Sequence, residues 1–251
     1  MSDSCFGLLL PGWMVLPLAP FIGSWLGVLV RRLPEGRPAM LGRSACEHCG
    51  HRLGPAELVP LASFIAAQGK CRYCAVPIGW FYPAIELAAL AVAAAALYAD
   101  GGGSKIWIDA ALGWALLCAA WIDVETFRLP DGITLPLILA GLAVTWGEHA
   151  QAIYNHAAAA ALGYSAFRLL NAAYFAYRGR HGLGEGDAKL LAAAGAWLGL
   201  AALPYVVVIA GLIGIVVAIF NRRGGGLRGE QMIVFGPALA LAFFLCRLHG
   251  F

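Results

Sequence analysis

Residues 106–131 read IWIDAALGWALLCAAWIDVETFRLPD. An almost unbroken apolar run ends in Trp121 and Ile122, and Asp123 follows at once. A carboxylate at the mouth of such a run costs free energy unless it is paired, hydrated or used. Pro130 forbids an uninterrupted helix beyond the run. Asp131 is placed to cap the next helix at its N-terminus. The neighbouring alanine- and leucine-rich block 87–98 shows no polar–apolar alternation, which excludes the strands of a membrane barrel. The stretch therefore predicts apolar helices separated by short polar joints.

Composition extends that reading to the whole chain. Of 251 residues, 61% are hydrophobic and only 12% charged, about half the share usual in soluble domains. The fold class is all-α: a polytopic membrane protein of about eight helices. The spans fall near 7–30, 80–99, 106–122, 132–147, 156–177, 188–203, 204–220 and 231–247. Pro11, Pro17 and Pro20 kink the first span or delay its start. This span lacks a basic leader and a small-residue cleavage site, so it reads as a retained helix. With the N-terminus outside, 14 of the 17 basic residues face the cytoplasm, Lys105 and Arg247 face out, and Arg168 lies within a span. That asymmetry sets the orientation and leaves both termini periplasmic in a multi-pass protein.

Residues 31–79 break the pattern. They hold seven of the 17 basic residues and four of the seven cysteines. The chain thus divides into a first helix (1–30), a cytoplasmic loop domain (31–79) and a membrane-embedded core (80–251). The loop is too short for a large core of its own. Cys46-Glu47-His48-Cys49 and Cys71-Arg72-Tyr73-Cys74, with 21 residues between them, supply four thiolates at the spacing of a structural zinc site. Disulfides or unligated thiols are the alternatives, and a reducing cytoplasm weighs against disulfides. His48 or His51 can replace one sulfur in the ligand set. Cys5, Cys118 and Cys246 read as small packing residues.

A second acidic motif, Gly182-Leu183-Gly184-Glu185-Gly186-Asp187-Ala188-Lys189, opens the sixth span. Gly184 and Gly186 permit close backbone approach. Under the charge-derived topology, Asp123 and Asp187 share the cytoplasmic face. Two adjacent carboxyl groups resist double ionisation, so one can activate water while the other protonates a carbonyl oxygen. Taken singly, Asp123 reads as an interfacial loop residue and Asp187 as a helix cap. Lys189 either pairs with a carboxylate or snorkels to the interface. The competing reading is an ion- or proton-coupled transporter, which predicts carboxylates near the midplane and repeated halves.

From about residue 20 to 240 these motifs resemble the type IV prepilin peptidases. Gly23-Ser24-Trp25-Leu26, the two cysteine knuckles, Tyr82-Pro83-Ala84-Ile85-Glu86, Asp123 through Asp131, and Gly184-Glu185-Gly186-Asp187 carry the resemblance. It implies an intramembrane aspartic endopeptidase of the bacterial inner membrane. Such an enzyme removes the basic leader of prepilins or pseudopilins at the cytoplasmic face. Asp123 and Asp187 match the catalytic pair, with Asp131, Gly184, Gly186, Lys189 and Glu86 in support. N-methylation by S-adenosylmethionine is implied as well, and the knuckles Cys46, Cys49, Cys71 and Cys74 read above as a zinc site match the family's. The partners implied are apolar-helix substrates and the lipid bilayer, with no nucleic acid. The chain departs from the usual pattern at Gly27 and Glu47 and in the stretch between the knuckles.

Overall fold

The computed structural model describes residues 11–37, 44–46, 48–101, 103, 105–179, 182, 184–223 and 234–250. The start of the first expected span, Cys5, Arg43, Glu47, Arg180 and Arg228 lie outside them. Every long element among the described residues is α-helical. The chain forms two compact units, residues 1–114 and 115–251. Among the described residues, four helical stretches are long and apolar enough to cross a membrane: Gly12–Arg32, Phe81–Asp100, Ile106–Thr126 and Leu200–Phe220.

In the first unit, a 3-10 turn at Gly12–Met14 leads into α1 (Val15–Arg32), with Pro20 inside the helix. Pro11 stands before the 3-10 turn, while Pro17 and Pro20 are accommodated within α1. The short α2 (Ala62–Ala66) and α3 (Phe81–Asp100) follow. Helices α1 and α3 pack along each other because Gly23 and Gly27 offer no side chain there. A Cβ at Gly23 would stand 2.7 Å from the Glu86 Cα, and one at Gly27 3.0 Å from the Tyr82 ring. Gly101, at φ +62°, closes α3 in the left-handed region.

Helix α4 (Ile106–Thr126) runs one turn further than the apolar run suggests. Asp123 therefore sits within the last turn of a helix rather than in a loop. Phe127, at φ +54°, ends it, its N–H bonding the Asp123 carbonyl at 2.8 Å. A left-handed backbone is costly for a bulky residue, so the turn is held by its surroundings. The Thr126 hydroxyl helps by donating to the Ile122 carbonyl at 2.9 Å.

The second unit adds α5 (Asp131–Glu148), α6 (Ile153–Arg178), α7 (Glu185–Leu198), α8 (Leu203–Arg223) and α9 (Gly236–Leu248). Helix α7 is its core: every residue from Leu190 to Leu198 is buried. Small residues allow α5, α6 and α9 to close around it. A Cβ on Gly195 would lie 2.6 Å from the Ala159 backbone of α6, and one on Gly163 3.1 Å from the Leu191 carbonyl. Gly141 of α5 lies against the Trp197 ring, whose Nε1 donates to the Leu137 carbonyl at 2.8 Å. Gly199, at φ +79°, breaks the chain after α7. The sixth span read from sequence, 188–203, is thus shorter than expected and starts three residues earlier.

Candidate functional site: a carboxylate pair and a four-thiol cluster

Asp187 and Asp123 come from two different helices of the second unit. Asp187 is the third residue of α7, with Gly184 as N-cap. Its Oδ2 accepts the Gly184 N–H at 3.2 Å, so it satisfies an orphan donor at the positive end of its own helix. Gly186 is bare for a packing reason. A Cβ there would stand 2.5 Å from the Leu129 Cβ, in the joint that follows α4. That approach carries the first turn of α7 against the acidic end of α4. Asp123 and Asp187 are 8% and 7% exposed, and they lie close enough for the charge on one to act on the other.

Asp123 has a further neighbour that the sequence reading missed. The backbone N–H of Gly236, the first residue of α9, donates to its carboxylate. The available signal was Gly236-Pro237 opening the last apolar helix, a pairing suited to a helix start.

Asp131 does not cap α5. Pro130 is the N-cap and no side chain caps that end. The Asp131 carboxylate instead accepts the Lys189 Nζ at 2.6 Å, with Glu185 3.6 Å from the same ammonium. Lys189 thereby ties the N-terminal turns of α5 and α7 together, and its charge is spent on this rim rather than on Asp123 or Asp187.

In the first unit, Glu86 is 5% exposed. Its Oε2 accepts the Leu61 N–H at 2.8 Å, and the Ser24 side chain also bonds it. It thus fastens the loop to both α1 and α3.

The four cysteines of the loop converge. Their sulfurs all lie within 4.8 Å of one another, with Cys46 and Cys74 3.9 Å apart. Two similar turns achieve this. In the first, the Cys46 N–H bonds the His51 carbonyl and the Gly50 N–H returns to the Cys46 carbonyl, both at 2.9 Å. In the second, Cys71, Val76 and Ala75 repeat the pattern at the same distances. Gly50 and Ala75 hold equivalent left-handed positions, at φ +69° and +57°. His51 stacks on Tyr73 with centroids 3.4 Å apart, joining the knuckles from outside the sulfur cluster.

Zinc–sulfur bonds of about 2.3 Å in a tetrahedron require sulfurs roughly 3.8 Å apart, so the cluster fits such an ion. Its electrostatics agree. The Cys49 and His48 backbone N–H groups hold the Cys46 thiol down to about 6. The Val76 N–H pulls Cys74 the same way, but burial and the three neighbouring sulfurs outweigh it and push that thiol up to about 11. A first thiolate forms readily, and the last needs a cation among the sulfurs. Cys118 and Cys246 are buried.

Fold and site together define a helical protein with several membrane-length apolar segments, a buried carboxylate pair and a separate four-thiol cluster. Residues 18–99 match the model of the "Bacterial Peptidase A24 N-terminal domain", and residues 110–219 that of the "Type IV leader peptidase family". A prepilin leader peptidase/N-methyltransferase of Burkholderia pseudomallei strain K96243 is 41% identical over 245 residues, covering 87% of this chain and 79% of the relative. Proteins of the same name from Aeromonas hydrophila and Pseudomonas aeruginosa are 35% and 32% identical, covering 94% and 93% of this chain and 90% and 88% of theirs. No solved structure matches the chain. The chain belongs to the type IV leader peptidase family.

Proposed function

We propose that this chain cleaves the leader peptide of prepilins or pseudopilins, with Asp123 and Asp187 as the acting pair. The observation that carries the reading is the meeting of these two buried carboxyl groups from α4 and α7 within electrostatic reach. A water held between them loses a proton to the ionised member as it attacks the scissile carbonyl. The protonated member donates to the carbonyl oxygen. The tetrahedral intermediate then collapses as a carboxyl group returns a proton to the leaving amine. Each event uses groups already present on the two side chains.

The substrate's apolar helix lies in the bilayer while its basic leader meets the acidic rim of Asp131, Glu185 and Glu125. Lys189 offsets part of that rim, so the attraction is modest. The topology we propose has eight spans, both termini periplasmic and the carboxylate pair at the cytoplasmic face of the bacterial inner membrane. The four candidate spans and the skewed distribution of basic residues support it.

Cys46, Cys49, Cys71 and Cys74 would hold a structural zinc ion, which staples a loop with little core of its own. N-methylation of the new N-terminus is the second activity we assign, by analogy with relatives named prepilin leader peptidase/N-methyltransferase. The methyl donor of the resemblance, S-adenosylmethionine, has no fitting site in the shallow groove formed by Phe64, Gln68, Lys70 and Trp80. That groove has no carboxylate for a ribose or an amino group, and Lys70 opposes a sulfonium charge.

The deciding experiment incubates purified Asp123→Asn and Asp187→Asn with a prepilin and reads product mass. Both proteins insert and neither releases the leader. Substantial cleavage by either variant rejects the pair.

A further inference from the structure

We propose that Gly236 is a positioning residue for Asp123. Its backbone N–H holds the carboxylate, and its lack of a side chain makes the room the carboxylate occupies. This rests on the reading of Asp123 as one of the two acting groups.

The two aspartates are not supported alike. Asp187 lies in the first turn of its own helix, where the helix dipole favours an anion, and bonds its own N-cap. Asp123 lies in the last turn of α4, where carbonyls point outward and the same dipole opposes an anion. Its favourable partner comes from far along the chain: the N-terminus of α9, a helix of 13 residues. There the Gly236 N–H donates to it. Pro237, the next residue, carries no N–H, so the first turn presents that donor without a rival beside it.

Contact is close enough that a Cβ on Gly236 would collide with the Asp123 Oδ2. The start of α9 is itself anchored. The Phe235 ring stands 6.4 Å, centroid to centroid, from that of Phe167 on α6. It also lies 3.8 Å from where a Cβ on Gly214 of α8 would be. Helices α6, α8 and α9 thus fix one donor, and that donor fixes one carboxylate.

The test compares Gly236→Ala, a protein with glycolate in place of Gly236 and Asp123→Asn with wild type, all as full-length purified protein with a prepilin substrate. The glycolate version exchanges the amide N–H for an ester oxygen and adds no bulk. We expect kcat to fall by about 100-fold in Gly236→Ala, since displacement of a reacting group by about 1 Å costs that much. In the glycolate protein we expect a fall of about tenfold, the weight of one hydrogen bond of about 1.4 kcal/mol. KM and the stoichiometry of binding an uncleavable prepilin stay at wild-type values; a misfolded fraction would lower the stoichiometry. Wild-type kcat in the glycolate protein, with Asp123→Asn inactive, overturns the inference and leaves the pair standing. Loss of rate that merely tracks loss of binding stoichiometry also overturns it. Cleavage by Asp123→Asn removes both readings.

Discussion

A single missing side chain decides much at the site. Gly186 lets Leu129 approach, and so brings the turn bearing Asp187 against the end of α4. Gly186→Val should leave helix α7 formed but push it off Leu129, and cleavage should fall well over tenfold, as misplacement of a catalytic group predicts. The measurement is kcat with substrate binding followed in parallel; unchanged kcat contradicts the packing role. Lys189 presents the opposite case. Its bond to Asp131 is short, but Asp131 is 59% exposed, and an exposed ion pair is worth about 0.2–1 kcal/mol. Lys189→Met should lower the melting temperature by only a few degrees. A double-mutant cycle with Asp131→Asn gives the coupling, and a value well above that range would mark the pair as a true strut. The pairing of Lys189 with Asp131 was open in the sequence, since its alternatives differ only by where α5 begins in space.

Helices here carry their own explanations. Helix α7 holds the centre of its unit because alanine and glycine let three neighbours reach its backbone. Gly195→Leu places carbon atoms where the Ala159 backbone stands, and should destabilise by about 1–3 kcal/mol or more. Thermal unfolding in detergent or nanodiscs reads this directly. The loop depends on different bonds. Glu86 is its tether to α1 and α3. Glu86→Ala leaves the Leu61 N–H unpaired, at about 1–3 kcal/mol, and should open residues 55–66 to limited proteolysis while metal content stays normal. Cys49→Ser should do the reverse: metal content by mass spectrometry falls, and the knuckles lose their staple. Zinc-free wild-type protein of full activity and stability would refute the staple.

Across the whole molecule, the charge asymmetry predicts a common face for Asp123 and Asp187, with residue 103 and the C-terminus on the other side. Topology reporters fused after residues 103 and 250 should both report the periplasm, and one after residue 72 the cytoplasm. A periplasmic signal at residue 72 would invert the model. The helical class, the two knuckles and the two acidic motifs were legible in the chain because each is local: apolar length, cysteine spacing, and an acid beside a run of apolar residues. Family membership followed from the order of the same motifs. What the chain order could not reveal was how those pieces are completed. The last turn of α4, closed by a left-handed Phe127, lies beyond any hydropathy boundary. So does the early break of α7 at Gly199, and Asp131 spends its charge on Lys189 because packing puts α5 beside α7. The donor to Asp123 is the least visible of all. It is a backbone N–H, identical at every residue but proline, and only the meeting of α4 with the start of α9 singles out the one at Gly236.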